Sequence, residues 1–215
     1  MDVKKTVLRR GSAQVRIVLL IGHGSRVPAI LECAGKINGV KVVYVLSCIG
    51  EGVGTETARL YGIKTGILKW QDYKSRANGR NDFATRTRNL LKSYQADLVV
   101  MAGWMVIMPP SFVWEFNGRV INIHPSILPA YPGKAENVIP AQWRNKAVPA
   151  GCTLHYVDEG VDSGEPIEFG YVISKKSDYK RFSFLEQFAA AIHAKEDEVL
   201  CRGIRKVTRE LQYTK

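Results

Sequence analysis

The chain has 215 residues, of which 46% are hydrophobic and 24% are charged, and its formal net charge is +11 at pH 7. This composition predicts one ordinary globular domain, and no apolar run reaches the roughly 20 residues that a membrane helix requires. The positive charge favours anionic ligands such as a phosphate ester or RNA, or it serves solubility alone. Because the basic clusters at 175–181 and 202–209 are not interleaved with aromatic residues, we predict no nucleic-acid partner. The lack of a long apolar run likewise predicts no membrane partner.

Two features bear on where the protein works. Residues 1–15 are basic and polar and lack the apolar centre of a secretory signal. They predict a disordered leader, or alternatively a short transit peptide, ahead of one domain at 16–215. The cysteines form no Cys-x-x-Cys pair, so we predict neither a metal site nor a disulfide framework, and a reducing cytoplasm is favoured. These cysteines are Cys33, Cys48, Cys152 and Cys201.

Apolar, β-branched runs alternate with helical patterns up to residue 124. The predicted strands are 16–21, 40–47, 64–68, 97–102 and 120–124. The predicted helices are 28–35, 55–61, 82–94 and 111–116. Such alternation is typical of βαβ units, so the sequence predicts an α/β protein with a single-domain Rossmann-like open sheet, mostly parallel, and helices on both faces.

A glycine-rich turn, Gly22-His-Gly24-Ser25, separates the first predicted strand from the first helix. Free backbone amides at a helix start attract anions, and glycine lets the backbone approach them closely. The turn therefore predicts a phosphate-binding loop, although an ordinary tight turn has the same pattern. Val27 occupies the place of the third glycine of a dinucleotide fingerprint, which disfavours a nicotinamide enzyme.

Asn122 and His124 end the fifth predicted strand and point to the same face, because side chains alternate along a strand. Pro125 cannot donate to a sheet ladder and stops the strand there, at the kind of position where open α/β sheets bind ligands. Asp162 lies in an acidic, loop-like stretch at 157–164. Singly, these motifs are more often structural. Together, an amide, an imidazole and a carboxylate predict a site that stabilises an oxyanion and moves a proton.

The pattern changes after residue 126. Residues 127–137 are a loop punctuated by proline and glycine, and 138–145 are predicted to be helical. The stretch at 152–157 alternates like an exposed strand and is predicted to form a hairpin with 166–174. The longest helical pattern covers 184–206. We therefore expect a C-terminal antiparallel extension of the sheet and no second domain.

Four motifs, in this order, carry a family resemblance. They are Gly-His-Gly-Ser at 22–25, Asp-Leu-Val-Val-Met-Ala-Gly-Trp-Met at 97–105, Asn-Ile-His-Pro-Ser-Ile-Leu-Pro-Ala-Tyr-Pro-Gly at 122–133, and Gly-Cys-Thr-Leu-His-Tyr-Val-Asp-Glu-Gly-Val-Asp-Ser-Gly at 151–164. With them, residues 16–205 resemble the phosphoribosylglycinamide formyltransferase family of folate-dependent formyltransferases. The last two motifs are long and specific.

The resemblance implies residue roles as well as a fold. It implies catalytic roles for Asn122, His124 and Asp162. It implies substrate-phosphate binding by Gly22, Gly24, Ser25, Arg26 and Arg80, and a further substrate contact at Glu196. It implies a folate pocket lined by Met105, Val106, Ile107, Met108, Val157, Asp158, Glu159, Gly160 and Val161. The phosphate-binding half would cover 16–102 and the folate and catalytic half 103–205, with no metal.

The implied activity is transfer of a formyl group from 10-formyltetrahydrofolate to the primary amine of glycinamide ribonucleotide, in de novo purine synthesis. The implied enzyme is a cytoplasmic monomer or homodimer. Its partners would be the folate co-substrate and a small phosphorylated amine.

Several positions depart from the family's pattern. Arg26 replaces the usual asparagine of the glycine loop, and Asp197 replaces a histidine after Glu196. Ala135 and Asn137 replace two histidines, and the Pro-x-Gln at 140–142 is similar to relatives that formylate methionyl-tRNA or amino sugars. These changes keep a second acceptor open, namely a nucleotide-linked amino sugar.

Other function classes are less favoured. A methionyl-tRNA formyltransferase is expected to carry a further C-terminal domain, and a formylfolate hydrolase an N-terminal regulatory domain; neither is predicted in this sequence. A folate- or nucleotide-binding protein without turnover has no need of the three polar residues predicted to be catalytic.

Overall fold

The computed structural model describes residues 14–214, so residues 1–13 of the predicted leader lie outside the described part of the chain. The strands are β1 Val15–Ile21, β2 Val40–Ser47, β3 Lys64–Ile67, β4 Leu98–Ala102, β5 Val120–His124, β6 Ala150–Tyr156 and β7 Pro166–Ile173. The α-helices are α1 Val27–Gly35, α2 Val53–Leu60, α3 Gly79–Ser93, α4 Pro110–Glu115, α5 Ala135–Arg144 and α6 Leu185–Thr214. Two short 3₁₀ helices occupy Trp70–Asp72 and Lys176–Arg181.

The strands form one seven-stranded sheet in the order β3-β2-β1-β4-β5-β6-β7. The first five strands run parallel, and β6 and β7 add an antiparallel extension. The predicted fold class is therefore confirmed. The strand order reverses between β1 and β4, and ligands of open α/β sheets bind outside the carboxyl ends of the strands at such a reversal.

Both faces of the sheet are covered, which explains why the central strands read as continuous apolar runs. In β1, Ile17, Leu19 and Ile21 pack on one side with apolar residues of α1 and α6. Val18 and Leu20 pack on the other side with residues of α3 and α4. The two cores bury β1, β4 and β5 on both faces, so the loops that follow their carboxyl ends start from packed strand ends.

The C-terminal half differs from the prediction in two places. The strand β6 is buried rather than exposed, because α6 packs on it and β7 pairs along its outer edge. Its alternation of Thr153 and His155 with apolar residues reflects a polar interior face, not a solvent face. The last helix continues eight residues beyond the predicted end, to Thr214, and keeps an apolar face through Val207 and Leu211.

The cysteine prediction is wrong for one pair. Cys33 on α1 and Cys201 on α6 form a disulfide, with their Cα atoms 5.6 Å apart and 168 residues between them in sequence. No spacing motif reveals the pair, because only the packing of two helices brings the sulfur atoms together. Cys48 and Cys152 are free and buried, and burial raises the pKa of both thiols. Within residues 14–214, no helix has the length and apolarity needed to cross a membrane.

Candidate active site

A cavity of about 220 Å³ opens at the carboxyl ends of β4 and β5. One wall is the segment that follows β4, and the opposite wall is the acidic loop that follows β6. Three polar side chains from β5 and β6 lie between these walls, and the acidic loop contributes a fourth. These four are Asn122, His124, His155 and Asp162. The cavity therefore joins the two parts of the chain that the sequence singled out for chemistry.

Asn122 is held by a histidine on the neighbouring strand. Asn122 and His155 are directly paired across β5 and β6, and the Asn122 amide nitrogen Nδ2 lies 3.2 Å from His155 Nε2. His155 Nδ1 donates to the Tyr156 carbonyl over 2.8 Å, because a carbonyl oxygen only accepts. This bond leaves a lone pair on Nε2, so one amide hydrogen of Asn122 points at His155. The second amide hydrogen is available to a ligand.

His124 is oriented by the backbone on one side and faces a carboxylate on the other. Its Nε2 donates to the Tyr131 carbonyl over 2.8 Å, which fixes both the ring and the tautomer. Its Nδ1 then lies 3.4 Å from Asp162 Oδ2. The Asp162 carboxylate therefore faces the imidazole directly, and because the imidazole is 3% exposed, solvent screens this contact little.

Asp162 reaches both histidines from a strained backbone position. Its φ is +55°, a left-handed conformation that aspartate tolerates better than most residues. Oδ2 accepts from the Gly133 backbone N–H over 2.8 Å, and Oδ1 lies 3.7 Å from His155 Nε2. The loop after β6 is thus turned so that one carboxylate faces the end of β5.

His155 is the site residue that the sequence reasoning missed. Burial lowers its pKa, while the Tyr156 carbonyl and the Asp162 carboxylate act in the opposite direction. A neutral His155 matches its hydrogen bonds, because Nε2 must accept from Asn122. The signal was present in β6, where Thr153 and His155 alternate with apolar residues, but only the pairing with β5 reveals what they face.

We expect the lowered pKa of His155 to make folding stability depend on pH. The unfolded histidine titrates near 6.5, so below that pH the unfolded chain binds a proton that the folded chain resists. This contribution to stability is complete above about pH 6.5 and is lost as the pH falls toward the folded-state pKa. His155→Gln keeps an acceptor for Asn122 and removes the titration.

Urea unfolding at about pH 5.5 and 7.5 measures this effect. The variant is expected to show a pH slope that is shallower by up to about 1.4 kcal/mol per pH unit. Equal slopes in the two proteins would contradict a neutral, buried His155.

Most residues predicted to bind folate line the cavity. They are Met105, Val106, Ile107, Met108, Val157, Asp158, Gly160 and Val161. Glu159 does not line it; its carboxylate accepts a hydrogen bond from the Trp114 indole on α4 instead. The lining of the cavity is largely apolar, which suits a flat heteroaromatic ring.

The glycine loop lies at the carboxyl end of β1. Gly24 has a φ of +77°, and a Cβ there would lie 2.7 Å from the Cα of Gly54, so only glycine fits both the backbone and the space. A Cβ on Gly22 would lie 2.5 Å from the Gly103 carbonyl oxygen. Ser25 is exposed. The two glycines of the loop therefore pack tightly against neighbouring backbone, while Ser25 faces solvent.

The other residues predicted to bind the acceptor fall into two groups. Arg26 lies against α6, with its Nη1 atom 3.9 Å from Glu196 Oε2 and 3.1 Å from Asp197 Oδ1. Arg80 lies in the first turn of α3 and is exposed, and none of its contacts joins it to the glycine loop. Within residues 14–214, no group of three histidine, cysteine or acidic side chains is arranged to hold a metal ion.

A model of the formyl transferase family matches residues 15–202. The match includes the glycine loop, the strand that ends in Asn122 and His124, and the loop that carries Asp162. The chain therefore belongs to the formyl transferase family.

Individual relatives show which proteins of the family this chain is similar to. The chain is 37% identical over 150 residues to the trifunctional purine biosynthetic protein adenosine-3 of Drosophila melanogaster, a match covering 68% of this chain and only 11% of that protein. It is 28% identical over 214 residues to the phosphoribosylglycinamide formyltransferase of Saccharomyces cerevisiae, covering 91% of this chain and 97% of that one. The solved phosphoribosylglycinamide formyltransferase of Campylobacter jejuni has a TM-score of 0.79 at 28% identity, covering 92% and 99% of the two chains.

Proposed function

We propose that this chain transfers the formyl group of 10-formyltetrahydrofolate to the primary amine of glycinamide ribonucleotide, a step of purine synthesis. The observation that carries the proposal is the convergence of Asn122, His124 and Asp162 on one cavity, with His124 Nδ1 3.4 Å from Asp162 Oδ2. A relative named for this activity matches the sequence along most of the chain, and a solved one shares its fold. Both substrates are small molecules that pass through the site, and neither is a resident cofactor.

In this proposal the cavity residues stabilise charge on the formyl oxygen. The acceptor nitrogen forms a bond to the formyl carbon, and the carbonyl electron pair moves onto oxygen. The second amide hydrogen of Asn122 donates to that oxygen, because the first is directed at His155. A donor that is already oriented acts without reorganisation, which is why such groups contribute strongly to catalysis.

His124 and Asp162 handle the proton. The attacking amine becomes an ammonium, and Asp162, whose Oδ2 also accepts from Gly133, takes one of its protons directly or through a water. His124 presents Nδ1 to Asp162 Oδ2 at 3.4 Å, while its Nε2 is occupied by the Tyr131 carbonyl, so it can accept that proton from Asp162. When the bond from the formyl carbon to the folate nitrogen breaks, that nitrogen receives the proton, and atoms and charge balance without a metal.

The two substrates would enter from different sides. The apolar wall at 105–108 and the backbone of the loop at 157–161 line the cavity where the pterin ring would lie. The glycine loop, at the carboxyl end of the neighbouring strand β1, would hold the acceptor phosphate with its backbone amides. The strands β1 and β4 pair directly, so the amine of a bound acceptor would extend toward the cavity.

A formyl-transfer assay tests the proposal and identifies the acceptor. Purified protein is incubated with 10-formyltetrahydrofolate and either glycinamide ribonucleotide or one of several nucleotide-linked amino sugars, while folate product is followed by absorbance. We expect turnover with glycinamide ribonucleotide. Turnover with none of the amines would contradict the proposal.

A second acceptor, a nucleotide-linked amino sugar, is favoured by one feature of the chain. The helix α5 starts at residue 135, where the resembled family has histidines. Gln142 on this helix is fully buried and bridges the Pro125 carbonyl and the Gly151 N–H. This helix is therefore anchored directly behind the catalytic strand end, and a different sequence at its start changes the acceptor's surroundings. Faster turnover with an amino sugar than with glycinamide ribonucleotide would establish this alternative.

A further inference from the structure

A hydrogen bond joins the two walls of the cavity on its solvent side. The indole N–H of Trp114, on α4, donates to the carboxylate of Glu159, on the acidic loop that follows β6. Both side chains are exposed, whereas their chain neighbours Val113 and Gly160 line the cavity. The bond therefore crosses from one cavity wall to the other, between residues 45 positions apart in sequence.

The α4 end of this Trp114–Glu159 bridge is firmly packed. Phe112 and Phe116 are buried in the core that α4 shares with α3 and β4, and their ring centroids lie 5.0 Å apart. Glu115 Oε1 lies 2.5 Å from Lys92 Nζ on α3. Trp114 is therefore carried by a helix that is held both by the core and by a neighbouring helix.

The other end of the bridge is an exposed loop. The Tyr156 N–H donates to the Glu165 carbonyl over 2.9 Å and closes the base of this loop, and residues 158–163 are mostly exposed. Asp158 accepts hydrogen bonds from the Ser163 hydroxyl and from a backbone N–H, but both donors belong to the loop itself. These internal bonds fix the shape of the loop without fixing its position beside the cavity.

Two acidic side chains hold this loop to the rest of the chain. Asp162 Oδ2 accepts from the Gly133 N–H over 2.8 Å and faces the histidines of the site, and Glu159 accepts from Trp114. Among the residues that the structure describes, no other hydrogen bond or ion pair joins 158–163 to a residue outside the loop. Without the bridge, all of these polar ties would pass through Asp162.

The charge of the loop works against its position. Four carboxylates lie within the eight residues 158–165, namely those of Asp158, Glu159, Asp162 and Glu165. In the described part of the chain, no lysine or arginine forms an ion pair with any of the four; Asp162 faces histidines alone. Because like charges repel and extend a segment, the loop needs a tie that opposes its opening. The Trp114 indole supplies one without adding charge.

We infer that Trp114 and Glu159 are a positioning pair, which holds the acidic loop against the cavity and thereby sets the affinity for the folate co-substrate. The inference rests on the proposed function, in which folate lies between the wall at 105–108 and the loop backbone at 157–161. Neither Trp114 nor Glu159 lines the cavity, so both act through the loop. A loop that is in place for only part of the time weakens binding in proportion to that fraction.

Steady-state kinetics with both substrates varied tests the pair. Trp114→Phe removes the indole N–H, and Glu159→Ala removes its acceptor. Each is expected to raise the KM for 10-formyltetrahydrofolate about five-fold, the scale of one partly exposed hydrogen bond. The kcat and the KM for glycinamide ribonucleotide should stay within about two-fold, because folate, once bound, itself keeps the loop in place. General destabilisation would not raise one KM selectively.

Further variants show whether the two residues act as a pair. Glu159→Gln keeps an oxygen that accepts from the indole and should recover most of the affinity that Glu159→Ala loses. The double variant Trp114→Phe with Glu159→Ala should lose no more than either single variant, because each already breaks the same bond. The matched control is Glu165→Gln at the end of the loop, whose carboxylate does not bond to Trp114; its constants should equal those of wild type.

Two measurements are independent of turnover. Calorimetric binding of 10-formyltetrahydrofolate should show the same loss of about five-fold in the Kd of Trp114→Phe and of Glu159→Ala. In proton NMR, the indole N–H signal that is absent from Trp114→Phe belongs to Trp114. That signal should shift in Glu159→Ala and not in Glu165→Gln, since only the former loses the carboxylate bonded to the indole.

The outcomes separate the two proposals. Wild-type protein that neither binds 10-formyltetrahydrofolate nor formylates any amine overturns the proposed function, and this inference with it. Wild-type protein that binds the folate, together with an unchanged Kd in both Trp114→Phe and Glu159→Ala, overturns the positioning pair alone. Losses that multiply in the double variant also overturn the pair, because the two residues would then act independently.

Discussion

Replacing Asn122 with alanine is expected to lower kcat for formyl transfer by about 10²–10³-fold, the usual effect of losing one oxyanion donor. The side chain lies at the end of β5 with one amide hydrogen on His155 Nε2, 3.2 Å away, so the other is aimed before substrate arrives. The loss should appear in kcat and not in the KM of either substrate, because the donor acts on charge that exists only in the transition state.

The same variant should remain folded. Asn122 is only half-buried, and the change removes one hydrogen bond, worth about 1 kcal/mol. Asn117→Ala, in the exposed turn after α4, is the matched control and should keep full turnover. An Asn122→Ala enzyme that retains turnover within about three-fold of wild type would remove the amide from the mechanism.

Asp162→Asn should have an even larger effect, lowering kcat by about 10³–10⁴-fold, at the upper end of what a proton-transfer group contributes. The substitution is nearly isosteric, and the asparagine oxygen can still accept from the Gly133 N–H that now lies 2.8 Å from Oδ2. The loop should therefore keep its shape. What is lost is the negative charge facing His124 Nδ1 at 3.4 Å and the acceptor for the amine proton.

Glu165→Gln is the control for Asp162, since it removes a carboxylate three residues further along the same segment, outside the cavity. Single-turnover measurements would separate chemistry from product release. The double variant Asn122→Ala with Asp162→Asn should lose less than the product of the two single losses, because groups that act as a unit are not additive. Normal turnover in Asp162→Asn would show that Asp162 does not accept the amine proton.

Most of the elements could be predicted from local pattern alone. The continuous apolar runs of β1, β2 and β4 predicted strands buried on both faces, and their alternation with helical segments predicted a parallel sheet. Pro125 marked the end of β5, and with it the position of Asn122 and His124. Each of these signals lies within about ten residues of chain, the range over which side-chain periodicity and proline geometry operate.

The sequence-based predictions are wrong where an element distant in sequence packs on the segment in question. The alternation in β6 predicts an exposed strand, but packing by α6 and pairing with β7 bury it. The disulfide between Cys33 and Cys201 was not expected, because 168 residues separate the two cysteines and no spacing motif marks them. In both cases the deciding partner is a helix whose position the local sequence does not specify.

The sequence by itself determined the strands, the glycine turn and the placement of an amide and an imidazole on one face of a strand end, because these follow from short-range periodicity. Only the tertiary structure decided that His155 pairs with Asn122, that Asp162 turns back to within 3.4 Å of His124, and that Arg26 meets Asp197. These contacts depend on strand register and on helix packing over long stretches of chain, and such relations are set by burial of the whole core rather than by any local pattern.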